Sequence, residues 1–565
     1  MTSVLAKFIP LTAILKRHWH VIALTILFIP AVWGLLQPGY FPMHDDLQVF
    51  RLYEFHKCIL DLQIPCRWVP DAGFGYGYPL MQFYPPMPYY PMEILHVLGL
   101  GYFWPVKIMF ALAFIVSGLG MFYLAKTFFG QWGGIISAML YVYSPYHSVD
   151  VYVRGAMNEA WGMAWFPFVL LYIYKVIRQN NKRDYLYLAL FLSLQLTSHN
   201  VMTMVFAPTA IIWAIFNLLV SKNFSKFKEL VFSGLLGIGL ASFFFIPVVL
   251  EQKHVHVDSM IVGYFNYLAH YADLNQLFFS RFWGYGGSTW GPEDGMSFSV
   301  GQLQWLAALL ALILSASRIK KNFQEFFMVA MFFMFGLGYA FLTHSKSVFF
   351  WDNISLLQFS QFPWRLVALI VLYFSLAGGY LASLQVSKNF GKVLIPLGCL
   401  AILFWNINFF RAERQILISL PEKMSGRQWE LQVTGGIFDY LPRSAPKPPG
   451  DPGFTIPKYV EGNGGILDYQ SGSNWQEFTA NVSSPSAQIM IPLYVYPGLT
   501  VKVDGKNYQY GQDLDLGRVT LNLSSGLHKV SLQIGYTTTR LISDLITIAS
   551  VIIFIYMYKN AGKRN

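Results

Sequence analysis

Two adjacent carboxylates stand out among the residues able to do chemistry. They lie in His44-Asp45-Asp46, about eight residues beyond the end of a long apolar run. A carboxylate near hydrocarbon is costly unless it is solvated, paired or used. A solvated turn would account for an arbitrary Asp-Asp pair, but two neighbouring features argue for more. Arg51 and Glu54 follow at helical spacing, so the sequence predicts a helix over 46–55 on the outer surface. A proline-rich aromatic stretch comes next, with Tyr76, Tyr78, Phe83, Tyr84, Tyr89 and Tyr90. Aromatics of this kind commonly form an interfacial belt, and they are also faces on which sugar rings stack. Adjacent carboxylates raise each other's proton affinity, which suits one of them to act as a general base.

Cations are supplied by other segments. Arg154 and Glu159 share Tyr152-Val-Arg-Gly-Ala-Met-Asn-Glu159, and Arg365 ends Gln361-Phe-Pro-Trp-Arg365 at the mouth of an apolar run. Lys253 and Arg281 lie in another loop. A guanidinium donates two hydrogen bonds to phosphate from one planar fork, so Arg365 and Arg154 are candidate phosphate ligands. Arg365 snorkelling toward headgroups is the alternative. Glu159 is expected to orient Arg154 rather than to move a proton. The histidines His199, His254, His256 and His270 lack the close spacing of a metal motif. A hard cation, Mg²⁺ or Mn²⁺, could be held by Asp45, Asp46 and an outer histidine. No metal site and no cofactor is assigned.

What positions these residues is a set of membrane spans. Of 565 residues 55% are hydrophobic, 18% aromatic and 12% charged; a soluble domain carries about twice that charge. Apolar runs recur near 20–36, 106–125, 132–146, 160–178, 184–197, 201–219, 228–248, 300–316, 326–343, 364–384, 391–409 and 541–558. About a dozen spans are therefore expected, across a core roughly 30 Å thick. The first lacks a small-residue cleavage site and reads as a retained span. With that many spans the basic residues fall on one side: Lys7, Lys16, Arg17, Lys126, Lys175, Arg178, Lys182, Arg183, Lys222, Lys226, Lys228, Arg318, Lys320, Lys321, Lys388, Lys392, Lys559, Lys563 and Arg564. That side is cytoplasmic by the positive-inside rule. It also accounts for the formal charge of +11 without a nucleic-acid partner.

The remaining segments face outward. Short cytoplasmic loops leave no room for a nucleotide-binding domain, and Gly73, Gly75 and Gly77 alternate with aromatics and follow no strand signal. Cys58 and Cys66 share the first outer loop and would pair in an oxidising compartment, though spacing alone does not decide this. Cys399 lies inside a span, as a core residue. Three domains are expected: a multi-span domain over 1–410, an extracytoplasmic β-rich domain over 411–538, and a last helix with a basic tail over 539–565. Val501-Lys-Val-Asp504-Gly505-Lys506 predicts a hairpin. Leu521 to Leu523, Ser524 to Gly526 and Val530 to Ile534 continue the strand signals, and 442–457 reads as an irregular linker.

A first span followed by an outer His-Asp-Asp loop resembles the GT-C superfamily of integral-membrane glycosyltransferases. More narrowly, Gly39-Tyr-Phe-Pro-Met-His-Asp45-Asp46, Arg154-Gly-Ala-Met-Asn-Glu159, Thr197-Ser-His199-Asn and Gln361-Phe-Pro-Trp-Arg365 are similar to bacterial membrane proteins called 6-pyruvoyl-tetrahydropterin-synthase-related. Tyr496-Pro-Gly498 through Lys506 looks like the terminal domain of YfhO-type membrane proteins. The resemblance implies a polytopic α-helical GT-C-like fold, an acidic catalytic residue in the first outer loop and a polyprenyl-phosphate sugar as donor. Asp45 or Asp46 would be that residue, with Arg365 and Arg154 on the donor phosphate. His44, Glu159 and His199 would support them, and Tyr76, Tyr78 and Tyr84 would form an aromatic shelf.

The expected function is inverting sugar transfer from a polyprenyl-phosphate donor to an extracytoplasmic glycan, lipid or protein, in the bacterial cytoplasmic membrane. A flippase or transporter of lipid-linked saccharides is the main alternative, disfavoured by span interiors nearly empty of charge. A non-catalytic envelope assembly protein is the other, and it would leave the Asp-Asp pair without a role.

Overall fold

A computed structural model describes residues 11–561 apart from 180, 292, 385–387 and 451, with the backbone alone at 11–18, 388–392 and 437. Lys7, Lys563 and Arg564 lie outside the described residues, and so do the side chains of Lys16, Arg17, Lys388 and Lys392. Every predicted apolar run overlaps a helix. Among the described residues, eight helices are long and apolar enough to cross a membrane, fewer than the dozen expected. Part of the difference is continuity: the runs 106–125 and 132–146 belong to one element, Phe103–Val142, broken at Gly130 where φ is 69°. Part is length. Asp184–Ser198 and Gln302–Ala316 have 15 residues each, which is about 22 Å of helix.

The helices differ in what they face. Pro363–Ser383 and Met157–Arg178 are the innermost, 83% and 78% buried, whereas Thr538–Ala561 is 11% buried. The last helix turns Ile548, Ile552 and Tyr556 outward. Apolar side chains displayed along a whole helix suit lipid rather than water. Met157–Arg178 begins just before Glu159 and Pro363–Ser383 just before Arg365, so the two best-packed helices carry two of the predicted site charges.

The sheet is antiparallel, in the order β1-β3-β7-β4-β5, with β2 on β3 and β6 on β7. Its strands are β1 Lys458–Glu461, β2 Gly464–Ser471, β3 Trp475–Tyr494, β4 Leu499–Val503, β5 Lys506–Asn507, β6 Gly511–Gln512 and β7 Arg518–Ile534. Val503 pairs with Lys506, so Asp504-Gly505 is a two-residue loop. Both residues have positive φ, 52° and 78°, as a type I′ turn requires. In β4 the residues Leu499, Val501 and Val503 are buried and Thr500 and Lys502 exposed, the period-2 alternation of a one-faced strand. The three strand signals between 521 and 534 form one strand, β7, whose register shifts where Gly526 meets Val482.

The sheet starts at Lys458, later than the expected boundary at 411. Residues 411–457 form an arm of short helices (Leu420–Lys423, Gly426–Val433 and Ile437–Tyr440) and an irregular stretch. This arm packs on the first outer loop: Ile416 pairs with Tyr40, and the Gly73 amide donates to the Val433 carbonyl at 2.7 Å. The last helix is tied to the rest of the fold by two ion pairs, the buried Arg540 to Glu251 at 2.9 Å and Arg67 to Asp544 at 2.7 Å. Cys58 and Cys66 are disulfide-bonded with Cα atoms 5.4 Å apart.

Candidate functional site

The predicted surface helix over 46–55 is instead Gln48–Leu60, and it is an inner element: Arg51 and Glu54 are 6% and 0% exposed. The residues before it run against a second outer segment. The amides of His44 and Asp45 donate to the carbonyls of Val153 and Arg154 at 2.9 and 2.8 Å, and Gln48 donates to the Gly155 carbonyl at 2.8 Å. The Asp-Asp loop and the Arg154 segment are thereby registered by backbone geometry rather than by flexible side chains.

That register separates the two carboxylates. Asp46 is taken: the ammonium of Lys423, itself 2% exposed, lies 2.6 Å from Asp46 Oδ2. Burial pushes the Asp46 carboxyl above its ordinary value and Lys423 opposes the push. The adjacent Asp45, expected from sequence to contribute, is not a cause of that push. Asp45 is exposed, and among the described residues its carboxylate makes no hydrogen bond or ion pair. It acts electrostatically on Arg51, Arg154 and Arg365.

Beneath Asp45 lies a buried charge cluster. Arg154 pairs with Asp150, four residues earlier, and with Glu159 at 2.9 Å. Glu159 Oε2 is also 3.4 Å from Arg365 Nε, and Oε1 accepts from the Tyr146 hydroxyl at 2.6 Å. Glu159 is 1% exposed and Asp150 is fully buried. Burial and the nearby Glu159 push the Asp150 carboxyl well up, against the pull of Arg154. Arg365 also donates to the Ser360 carbonyl and Gln361 Oε1 at 2.9 and 2.8 Å. The Arg154 guanidinium lies 4.5 Å from the Trp364 ring centre, and Trp364 stacks on Phe362. Glu159 thus lies against both Arg154 and Arg365.

Gly155 closes the turn that brings Arg154 to the loop. Its φ is +66°, and a Cβ there would lie 2.2 Å from Met43 Sδ and 2.9 Å from Met43 Cβ. Gly155→Ala is therefore expected to push the Met43-His44-Asp45 segment away from Arg154. The predicted cost is about 1–3 kcal/mol, read as a lower thermal-unfolding midpoint.

The supporting residues divide. His199 caps the helix Asn200–Ser221, its Nδ1 accepting from the Met202 amide at 3.1 Å, which leaves the ring proton on Nε2. Burial holds it down to about 3, with Glu159 opposing. His44 Nε2 meets the Tyr285 carbonyl at 3.1 Å and is exposed. Tyr84 lies under Arg51, whose guanidinium is 3.8 Å from the ring centre.

The other two members of the expected aromatic shelf are not open faces. Tyr76 and Tyr78 are 2% and 0% exposed. Tyr76 packs on Tyr494 and Phe454 against the sheet, and Tyr78 stacks on Tyr440 and donates to the Gly435 carbonyl at 2.9 Å. Both were expected in a sugar-stacking shelf, but the arm and sheet cover them.

Among the described residues no group of three His, Cys, Asp or Glu side chains converges as a metal site. The carboxylate of Asp46 is held by an ammonium, and His256 and His270 are committed to backbone carbonyls. Arg281 lies apart from the cluster, over the Trp405 ring.

Sequence reasoning missed Asp150, Tyr146, Lys423 and Asp439. Asp150 carried a local signal, an acid four residues before Arg154. Lys423 and Asp439 carried none, since each joins the site from the arm. Asp439 feels Arg51, Asp45 and Arg365, and burial pushes its carboxyl up to about 6.

Residues 84–250 match the family model described as dolichyl-phosphate-mannose-protein mannosyltransferase. An uncharacterized protein of Lactococcus lactis subsp. cremoris is 21% identical over 218 residues, 36% of this chain; the chain spans 34% of that relative's length. Among solved structures, the arabinofuranosyltransferase AftD from Mycobacteria is similar at a TM-score of 0.47 and 16% identity, covering 69% of this chain and 26% of that one. The Archaeoglobus fulgidus oligosaccharyltransferase aligns at 0.43 and 11%, covering 78% and 62%. ArnT from Cupriavidus metallidurans aligns at 0.38 and 12%, covering 68% and 64%. The narrower likeness to 6-pyruvoyl-tetrahydropterin-synthase-related and YfhO-type proteins gains no support from these matches.

Proposed function

We propose that this chain is a membrane glycosyltransferase of the GT-C type, moving a sugar from a polyprenyl-phosphate donor to an acceptor hydroxyl on the extracytoplasmic side. One observation carries the reading: Asp45 is an exposed carboxylate without a partner among the described residues, registered by backbone hydrogen bonds beside Arg154. A general base needs such freedom, and a departing phosphate needs the guanidiniums next to it. The family match over 84–250 supports a lipid-phosphate sugar donor, since its description names dolichyl-phosphate-mannose.

In the proposed step Asp45 takes the proton of the acceptor hydroxyl as the oxygen bonds the anomeric carbon. The bond from that carbon to the phosphate oxygen breaks, and its electron pair stays on the lipid phosphate. Arg365, backed by Arg154, stabilises the charge that develops there. One displacement inverts the anomeric centre. No step is routed through a metal. The bacterial cytoplasmic membrane, with this face outward, is supported by the one-sided basic residues and by the disulfide, which needs an oxidising compartment.

Two experiments test the reading. Deleting the protein should make a polyprenyl-phosphate sugar accumulate in membranes, and wild-type complementation should clear it; an unchanged pool of lipid-linked sugars would sink the transferase reading. For orientation, Leu514→Cys sits on the sheet domain at a position 89% exposed, and Lys182→Cys sits on a predicted cytoplasmic loop. Cys58 and Cys66 are paired and Cys399 is buried, so background labelling is low. An impermeant maleimide should label the Leu514→Cys protein in intact cells and the Lys182→Cys protein only after permeabilisation. The reverse pattern would place the site inside.

A further inference from the structure

A cleft of about 470 Å³ opens between the arm and two outer loops. That is within the range of roughly 300–1,000 Å³ typical of small-ligand sites. Its apolar faces are Phe74 from the first outer loop, Phe265 from the loop after the Phe227–Glu251 helix, and Phe438 on the arm. Its charged groups are Arg427, Glu430 and Asp439. Phe438 is 59% exposed, an aromatic ring left facing water at the cleft.

Asp439 connects the cleft to the chemistry. It is held by the arm: its amide donates to the Gly436 carbonyl at 3.1 Å, and the Ser259 hydroxyl donates to the Phe438 carbonyl at 3.1 Å, with Asp439 Oδ1 3.5 Å away. Its carboxyl shares an electrostatic field with Asp45, Arg51 and Arg365. The arm also runs against the loop that carries the proposed base: a Cβ on Gly435, next to the lining residue Gly436, would lie 2.7 Å from Leu47 Cδ2, two residues beyond Asp45, so a molecule in the cleft lies on the arm side of that loop. Flat apolar rings beside carboxylates and a guanidinium match the two-sided chemistry of a sugar, which presents an apolar C–H face and a rim of hydroxyls. A lipid tail would strip water from the Arg427–Glu430 ion pair, 3.1 Å apart, and from Asp439 and offer no hydrogen bond in return, at a cost in desolvation.

We propose that this cleft binds the acceptor, that the acceptor is a saccharide stacked on Phe438, and that Asp439 accepts a hydrogen bond from its hydroxyl and so positions it toward Asp45. The proposal rests on the transferase reading of Asp45 and names the substrate class that reading leaves open.

The test uses the full chain in phospholipid nanodiscs, where no glycoside detergent competes. Saturation-transfer NMR is run with maltose, cellobiose, lactose and mannobiose, and separately with a pool of short peptides. At least one disaccharide is expected to bind wild type and Asp45→Asn alike. Its affinity should fall roughly 10-fold in Phe438→Ala, a loss typical of one aromatic contact. Asp439→Asn should weaken it while Asp439→Glu restores part of the loss. Binding that ignores Phe438→Ala, or signal from the peptides and none from the sugars, overturns the proposal. Clearance of the lipid-linked sugar in the deletion strain separates the two readings. Wild-type clearance by Phe438→Ala rejects the cleft and keeps the transferase. Failure of wild type to clear while the sugar still binds rejects the transferase and keeps a saccharide site.

Discussion

Asp45→Asn is expected to leave the protein folded and to slow sugar transfer by roughly 10²–10⁴-fold, the usual worth of a positioned general base. The two halves of this expectation come from different facts. The Asp45 carboxylate is exposed and, among the described residues, makes no hydrogen bond or ion pair, so an isosteric amide should change stability by no more than about 0.5 kcal/mol. Its backbone contacts to the Arg154 segment use the amide and survive the change. What is lost is the ability to take a proton, together with the negative charge that acts on Arg51, Arg154 and Arg365. Asp46→Asn should invert the pattern: Lys423 is 2% exposed and would keep its charge without its ion-pair partner, at a cost of about 1–3 kcal/mol. The assay is clearance of the accumulated polyprenyl-phosphate sugar at matched expression, with thermal unfolding of each purified variant beside it. If Asp45→Asn clears the donor at the wild-type rate, Asp45 is not the base.

The split between these two carboxylates was not legible in the sequence, and the reason is physical. Neighbours in a loop are equivalent until something distant engages one of them. Here that group is Lys423, 377 residues from Asp46 in sequence and brought in by the arm. The same holds for Asp439, and for Tyr76 and Tyr78, whose rings look like an interfacial belt until the sheet and arm are laid over them. Features encoded over short stretches were readable. The Asp504-Gly505 turn follows from two positive φ values that few residues other than Gly, Asn and Asp accept. Apolar runs predict helices because hydrocarbon and a buried core demand the same composition. They do not predict continuity, so one glycine at 130 makes two runs a single broken element.

The arginine cluster stands between these cases. Arg154 and Glu159 were readable as partners at short separation, and Arg365 was readable only as a cation at the mouth of a helix. Convergence of the three depends on the packing of Met157–Arg178 near Pro363–Ser383, the two innermost helices. Such burial has a consequence for charge. Two guanidiniums near hydrocarbon need compensation, and Glu159 and Asp150 supply it. A lipid phosphate would add a negative charge at the partly exposed edge of Arg365, 12% exposed, rather than inside the cluster.

Glu159→Gln is accordingly expected to destabilise the protein by about 3–5 kcal/mol, the usual result of removing one partner from a buried ion pair. Glu159 Oε2 faces Arg154 at 2.9 Å and Arg365 at 3.4 Å. Glutamine keeps the volume and can still accept from Tyr146, so a packing explanation predicts little change. A charge explanation predicts that Arg154 and Arg365 repel, that Arg365 turns outward, and that transfer falls with stability. Inorganic phosphate separates the two. An anion that binds the folded state stabilises it in proportion to the logarithm of its concentration over Kd. With Glu159 gone, the uncompensated guanidiniums should bind phosphate more tightly, so phosphate should raise the unfolding midpoint of Glu159→Gln more than that of wild type. Equal shifts in the two proteins would mean that Glu159 does not balance these arginines, and the donor-phosphate role of Arg365 would lose its electrostatic basis.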